Sequence, residues 1–114
     1  MELTDKEREF IAKAPRFEDD LIEQLQEPEF EAGWLKLTLE EFLEDGDVNT
    51  FVRCLTYVVK ARGRGEITKL ANKSKIDRGN LSEILNGKVT PKLDTALKLI
   101  RGLGYKLDIK LKSA

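Results

Sequence analysis

Apolar side chains recur every three to four residues along most of the chain, and this spacing predicts amphipathic helices. A first short helix can begin at the capping-box residue Thr4 and end before Pro15. A second helix carries a narrow apolar stripe, formed by Phe17, Leu21, Ile22 and Leu25. A third helix begins at Pro28, which suits a first helical turn. Its apolar positions are Phe30, Trp34, Leu35, Phe42 and Leu43.

The second half of the chain predicts four further helices that form one compact core. Asp47 can cap the first of these helices and Gly63 can end it. Its inward-facing positions are Val48, Phe51, Val52, Leu55, Val58 and Val59. The last of the four follows Thr90 and Pro91, which we interpret as an N-cap residue and a first-turn proline. Its buried positions are expected to be Leu93, Ala96, Leu97 and Ile100.

Residues 67–87 lie between these two helices and predict a pair of short helices that cross at a tight turn. The inward-facing positions of the pair are Leu70, Ala71, Ile76, Leu81, Ile84 and Leu85. Asp77 can cap the second helix, and Gly87 can end it with a positive φ. The outward positions of that helix are polar or small, as a helix in a DNA groove requires. The alternative is an ordinary helical hairpin with a solvated outer face.

Residues 105–112 alternate apolar and polar side chains, and this period of two predicts a short strand. No second strand pattern occurs in the sequence, so the strand would leave its backbone groups unpaired. It is expected to pair with another chain, either the same strand of a second copy or the sheet edge of a partner. A homodimer through residues 105–111 is favoured, because two-fold symmetry suits paired DNA half-sites. The alternative is an extended tail packed on the helices.

Charge divides the chain into two parts of opposite sign. Residues 1–45 carry 15 acidic and 5 basic side chains, whereas residues 46–114 carry 6 acidic and 15 basic ones. This asymmetry predicts two binding surfaces, one facing a basic partner and one facing DNA phosphates. The expected organisation is an acidic helical region in residues 1–45, a DNA-binding domain in residues 46–104, and a strand and tail in residues 105–114. The fold class is therefore all-α, a helical bundle with one short C-terminal strand.

Enzymatic chemistry is poorly supported by the composition. The chain has no histidine, the commonest general base and metal ligand, and its single cysteine, Cys54, falls on an apolar helical period. The acidic residues lack the loop pattern of a calcium site, so neither a metal nor a cofactor is expected. The sequence has no apolar run long enough to span a membrane and no secretory signal. A cytoplasmic location is the default expectation.

The helix pair resembles the phage-repressor-type helix-turn-helix domain, a lambda-repressor-like fold, over residues 67–99. The matching positions are Leu70-Ala71, Ile76, Leu81-Ser82, Asn86-Gly87 and Thr90-Pro91. That domain often has a glutamine, a turn glycine and an aromatic residue where this chain has Ile67, Lys75 and Leu81.

A longer stretch, residues 17–110, is similar in the order of its motifs to the addiction-module antidote proteins of bacterial toxin–antitoxin operons, with an Xre/HigA-like helix-turn-helix. The motifs are Phe17 to Leu25, Pro28-Glu29-Phe30, Leu43 to Asp47, Ala61-Arg62-Gly63 and Leu103 to Leu107. This resemblance implies an antitoxin that neutralises a small basic RelE/HigB-like ribonuclease toxin. It also implies repression of its own operon through double-stranded DNA.

Candidate DNA contacts lie on the second helix of the pair and on lysines near it. Arg78 is the best candidate for a bidentate contact to guanine. Other candidates on that helix are Gly79, Asn80, Ser82, Glu83 and Asn86. Candidate phosphate contacts are Lys69, Lys73, Lys88 and Lys92, each equally explicable as solvated surface.

Candidate toxin contacts are carboxylates of the acidic half, although each could simply solubilise its helix. They are Asp19, Asp20, Glu23, Glu27, Glu40, Glu41, Glu44 and Asp45. Trp34, with Phe30, is more readily explained as core than as a binding hot spot. Two alternatives to the antitoxin remain open. One is a stand-alone transcriptional regulator without a toxin, and the other is a protein-binding module that has lost DNA affinity, an alternative suggested by Ile67 and Glu83.

Overall fold

In the computed structural model, which describes residues 14–108, this range forms six α-helices and no strand. The predicted all-α fold is confirmed over these residues. The helices are α1 (Ala14–Gln24), α2 (Pro28–Asp45), α3 (Val48–Arg62), α4 (Glu66–Ser74), α5 (Arg78–Leu85) and α6 (Leu93–Gly102). The short helix predicted from Thr4 lies outside the described residues.

Local capping explains why α3 and α5 begin where the sequence predicts. The Asp47 carboxylate accepts the backbone N–H of Thr50 at 3.1 Å, and the Asp77 carboxylate accepts that of Asn80 at 3.1 Å. These bonds satisfy N–H groups that have no partner inside the helix. Pro28 occupies the first turn of α2, as predicted. Gly87 follows α5 with a φ of 78°, a conformation that glycine adopts without steric cost.

Helix α3 is the centre of the bundle, because it packs against the other five helices. Helices α4, α5 and α6 complete the predicted four-helix core, in which α4 packs on both α5 and α6. The most deeply buried side chains of the core include Phe51, Leu55, Val58, Leu70, Leu81 and Leu99. At the end of α5, the Leu85 carbonyl accepts a 3.1 Å hydrogen bond from the Thr56 hydroxyl of α3. The core thereby fixes α5 at its C-terminal end.

The predicted start of α6 is wrong. The helix begins at Leu93, with Lys92 as its N-cap residue, two positions later than Thr90 and Pro91 predict. The Thr90 hydroxyl instead donates to the side-chain oxygen of Asn49 at 3.2 Å, and Pro91 is buried. Leu93 is 60% exposed rather than buried, because the first turn of α6 projects beyond the core. Leu97 is half-buried, while Ala96 and Ile100 are buried as predicted.

Residues 105–108, which come after α6 and the turn that follows it, have no regular secondary structure. Their start is held by a backbone hydrogen bond of 3.2 Å from the N–H of Tyr105 to the carbonyl of Ile100. The predicted strand is absent from these four residues, and its remaining positions, 109–112, lie outside the described residues. A strand needs a neighbour for its backbone groups, so pairing with a second chain stays a prediction.

Candidate functional site

Helix α5 presents the predicted DNA-contacting residues on one surface because its opposite face is anchored in the core. Leu81, Ile84 and Leu85 are buried. The residues Arg78, Gly79, Asn80, Glu83 and Asn86 are exposed, and Ser82 is half-buried. The predicted set is therefore brought together on one short helix and its C-cap residue, Asn86.

Arg78 makes a contact that the sequence did not predict. Its Nε donates a 2.9 Å hydrogen bond to the hydroxyl of Thr68 on α4. This bond uses one of the five N–H donors of the guanidinium group. The bond links α4 and α5 on their exposed side, and its two residues are ten positions apart in the chain. No spacing rule distinguishes Thr68 from any other exposed threonine, so only the structure identifies it.

The turn between α4 and α5 is tight and places a lysine in a strained conformation. Lys75 has φ 57° and ψ 40°, the left-handed region in which side chains other than glycine are disfavoured. The next residue, Ile76, donates its backbone N–H to the carbonyl of Ala71 at 3.0 Å and is half-buried. The turn therefore has a conformation that favours glycine, the residue that the phage-repressor-type domain usually has in this turn.

The predicted phosphate contacts are exposed but belong to two different segments. Lys69 and Lys73 lie on α4, whereas Lys88 and Lys92 lie in the connection between α5 and α6. These two segments flank α5 in the chain.

The predicted toxin contacts are all exposed and form two groups. Asp19, Asp20 and Glu23 lie on α1, with Glu27 in the turn that follows it. Glu40, Glu41, Glu44 and Asp45 lie at the C-terminal end of α2, whose last turn contains no basic residue. Asp45 also has a local role, because its carboxylate accepts the backbone N–H of Asp47 at 2.8 Å.

A buried ionic network lies away from both surfaces and was not predicted. Glu31 of α2 is only 7% exposed and accepts hydrogen bonds from the Arg62 guanidinium and from the Tyr105 hydroxyl at 2.8 Å. Arg62 also pairs with Glu66 of α4 at 3.1 Å and donates to the carbonyl of Leu103 at 2.8 Å. The network joins α2, α3, α4 and the segment after α6.

The network shifts the pKa values of its members. Burial alone would raise the pKa of Glu31, but the hydrogen bonds from Arg62 and Tyr105 outweigh burial and leave that pKa below its usual value. The pKa of Arg62 is raised, chiefly by its hydrogen bond to Glu31. Burial and the Glu31 carboxylate raise the pKa of Tyr105 to about 12. Both ionic partners therefore stay charged at neutral pH.

Trp34 and Cys54 meet at the packing of α2 on α3. The indole Nε1 of Trp34 donates a 3.2 Å hydrogen bond to the backbone carbonyl of Cys54, and both side chains are half-buried. Burial, together with the charge of Glu41, raises the pKa of the Cys54 thiol to about 11. A protonated thiol is a poor nucleophile. The predicted packing roles of both residues agree with these contacts.

The comparisons with known proteins give one family. Residues 16–111 match the model of the family described as "probable addiction module antidote protein". The chain belongs to this antidote family. No curated protein and no solved structure gives a significant match. An addiction-module antidote acts on a toxin, so membership implies a toxin partner.

The antidote also has an apolar groove of about 560 Å³ between α2 and the segment after α6. Leu35, Leu39 and Leu43 line it from α2, and Tyr105 and Leu107 line it from the opposite side. Phe51 and Ile100, both buried, also contribute. This groove was not predicted, because it needs the close approach of two segments some 65 positions apart in the sequence.

Two further observations concern residues 14–108 of the antidote. No helix in this range has both the length and the apolar character needed to cross a membrane. Across the same residues, no group of three or more cysteine or acidic side chains is arranged to hold a metal ion.

Proposed function

We propose that this antidote neutralises a small basic toxin of the RelE/HigB-like class and represses its own operon. In this proposal the acidic half of the chain contacts the toxin, and α4 and α5 act as an Xre/HigA-like helix-turn-helix on double-stranded DNA. Its work is binding rather than catalysis, and its site of action is the cytoplasm. The observation that carries the proposal is the exposed polar face of α5, with Arg78 at its start, in a chain of the antidote family.

The DNA-binding part is supported by the placement of charge. Lys69 and Lys73 precede α5 in the chain and Lys88 and Lys92 follow it, so the two segments that adjoin the reading helix carry exposed lysines for phosphate contacts. Phosphate contacts orient a protein on the duplex, while side chains in the major groove read the bases. Arg78 is the residue best suited to guanine, because its guanidinium matches the O6 and N7 acceptors.

A mobility-shift titration on the DNA upstream of the antidote gene tests this part. We expect saturable binding that weakens steeply as salt rises, because bound lysines and arginines release counterions from DNA. Arg78→Ala should weaken binding about 5- to 150-fold, the range expected for loss of one bidentate base contact. Arg101→Ala, which removes an exposed arginine of α6, is the matched control and should bind like the wild type.

Two results would contradict this part of the proposal. One is wild-type binding no tighter to the upstream DNA than to random duplex. The other is an Arg78→Ala variant that binds as tightly as Arg101→Ala. The first result would leave a protein-binding antidote without a DNA-reading role, and the second would show that Arg78 does not read the bases.

The toxin part is tested with the protein encoded beside the antidote gene. We expect its expression alone to arrest growth with cleavage of messenger RNA, and co-expression of the antidote to restore growth. Replacing Glu40, Glu41 and Glu44 together by lysine should weaken rescue if the acidic half contacts a basic toxin. Growth arrest that the wild-type antidote fails to relieve would favour a stand-alone transcriptional regulator.

We further propose that the antidote is a homodimer, paired through residues 105–111. Two-fold symmetry would match two DNA half-sites, and the pairing would satisfy backbone groups of the predicted strand. Light scattering of the purified antidote should give twice the mass of one chain. A monomer at micromolar concentration would contradict this assembly.

A further inference from the structure

Helix α2 carries an apolar side chain that its packing in this chain leaves in water. Near its C-terminal end, Leu39 and Phe42 are half-buried against the core, and the Phe42 ring stacks on Phe51 of α3 with ring centroids 5.2 Å apart. Leu43, near the end of the helix, is 74% exposed. A leucine that is this exposed lacks most of the favourable free energy of burial, which is about 1.5–3 kcal/mol for a fully buried side chain.

Apolar side chains of α2 form a continuous stripe along the groove, which runs from the buried Leu35 through the half-buried Leu39 to the exposed Leu43. Leu35, Leu39 and Leu43 are each four residues apart, so they lie along one face of the helix. Leu107, which is 45% exposed, faces the same groove from the opposite wall. The groove is therefore an elongated apolar surface between two walls, open to solvent at its Leu43 end.

Charge at the Leu43 end favours a cationic occupant. Glu40 lines the groove, and Glu44 is one helical turn further along the same face. Both carboxylates lie near the C-terminus of α2, where the helix dipole is already negative and no basic side chain occupies the last turn. Lys36, Lys106 and Asp108 also line the groove, so the argument for a cationic occupant rests on Glu40, Glu44 and the C-terminus of α2.

We propose that this groove receives an apolar segment of the toxin, flanked by lysine or arginine, with Leu43 as its main apolar contact. This inference rests on the proposed basic toxin and adds the surface that holds it. A second copy of the chain is a poorer occupant of the Leu43 end. A symmetric contact presents the same patch from both copies and would bring Glu40 and Glu44 against the same carboxylates.

The test compares two leucine variants of the same helix. Leu43→Arg places a cation in the groove, while Leu37→Arg places one at a position of α2 that is 53% exposed and does not line the groove. Because both sites are exposed, both variants should fold, which circular dichroism and thermal unfolding would verify. The probe is the purified neighbouring toxin in a nuclease-inactive form, and the measurement is isothermal titration calorimetry.

We expect Leu43→Arg to weaken toxin binding at least 10-fold and Leu37→Arg to change it less than about 2-fold. Glu44→Lys should also weaken binding, with a smaller loss at high salt, because screening reduces the attraction that it removes. Equal affinities for the wild type and Leu43→Arg would overturn the groove proposal while leaving the proposed toxin partnership intact. No binding by the wild type would instead refute the partnership, and the groove proposal with it.

Light scattering of the same variants tests the alternative in which a second copy of the chain, and not the toxin, occupies the groove. If Leu43→Arg converts a dimer into a monomer while toxin affinity is unchanged, the groove belongs to the contact between copies and the proposal is overturned. If the variant keeps the assembly of the wild type and loses toxin affinity, the proposal is supported.

Discussion

The guanidinium of Arg62 is paired with the carboxylate of Glu31 through Nε and Nη2, and this pair joins the last turn of α3 to α2. The same guanidinium reaches Glu66 at the first turn of α4 and the carbonyl of Leu103 after α6. A single arginine thus connects four parts of the chain. Truncating one partner of such a network leaves a buried group without its counter-charge, which costs more than the pair itself contributes.

Glu31→Gln is expected to destabilise the fold in a pH-dependent way. The pKa of Glu31 in the folded protein lies below its ordinary 4.5, so its carboxylate contributes stability above that pH. The contribution is lost as pH falls through the lowered pKa. We expect a loss of about 1–3 kcal/mol near pH 7. The difference from the wild type should begin to shrink as pH falls below 4.5.

Urea unfolding of both proteins across this pH range measures the effect. Asp47 also has a lowered pKa, but it is present in both proteins, so their difference isolates Glu31. A difference that stays constant from neutral to acidic pH would show that Glu31 does not titrate as the network requires.

Thr68 is expected to position Arg78 for DNA if α5 is the reading helix. Removing their 2.9 Å hydrogen bond in Thr68→Ala should weaken binding to the upstream DNA about 2- to 12-fold. Thr68→Ser retains the hydroxyl and should restore affinity. In the Arg78→Ala background, Thr68→Ala should have little further effect, because the residue acts through Arg78. Mobility shifts of the wild type, the two alanine variants and the double variant give this cycle. Additive losses would assign Thr68 a role independent of Arg78.

Gly102→Ala is expected to destabilise the packing of α6 on α4. A Cβ at this position would lie 2.2 Å from the Ser74 Oγ and 2.8 Å from the Leu70 Cδ1, so both neighbours must move. Ser74 is also held by its 3.2 Å hydrogen bond to the Lys98 carbonyl. We expect a loss of about 1–3 kcal/mol in urea unfolding.

Gly33→Ala is the matched control for that substitution. A Cβ at Gly33, within α2, would meet no atom within 4 Å. Alanine favours helix over glycine, so this variant should gain about 0.5–1 kcal/mol. Equal effects of the two substitutions would contradict the close approach of α4 and α6.

Lys75→Gly is expected to stabilise the protein. The left-handed conformation of Lys75 costs about 1–2 kcal/mol with a side chain, and glycine removes that cost at the expense of a more flexible unfolded chain. A net gain of up to about 1 kcal/mol should appear in urea unfolding. Lys73→Gly, inside α4, should instead lose about 1 kcal/mol. Destabilisation by both substitutions would contradict the left-handed turn.

The starts and ends of helices were predictable from the sequence where residues close together in the chain determine them. Asp47 caps α3, Asp77 caps α5 and Gly87 takes a positive φ, because each effect involves only residues within one helical turn. The buried face of α5 followed from its apolar period alone. Family membership was also accessible, since the ordered motifs of residues 17–110 lie within the matched range 16–111.

Contacts between distant segments could be decided only by the tertiary structure. Glu31 has the same local pattern as the exposed carboxylates around it, and its burial depends on Arg62 and Tyr105, 31 and 74 positions away. Leu93 fits the apolar period of α6 yet lies beyond the edge of the core. The Arg78–Thr68 bond and the groove beside Leu43 likewise arise from packing between elements. Periodicity specifies which face of a helix is apolar, but only packing determines what covers that face.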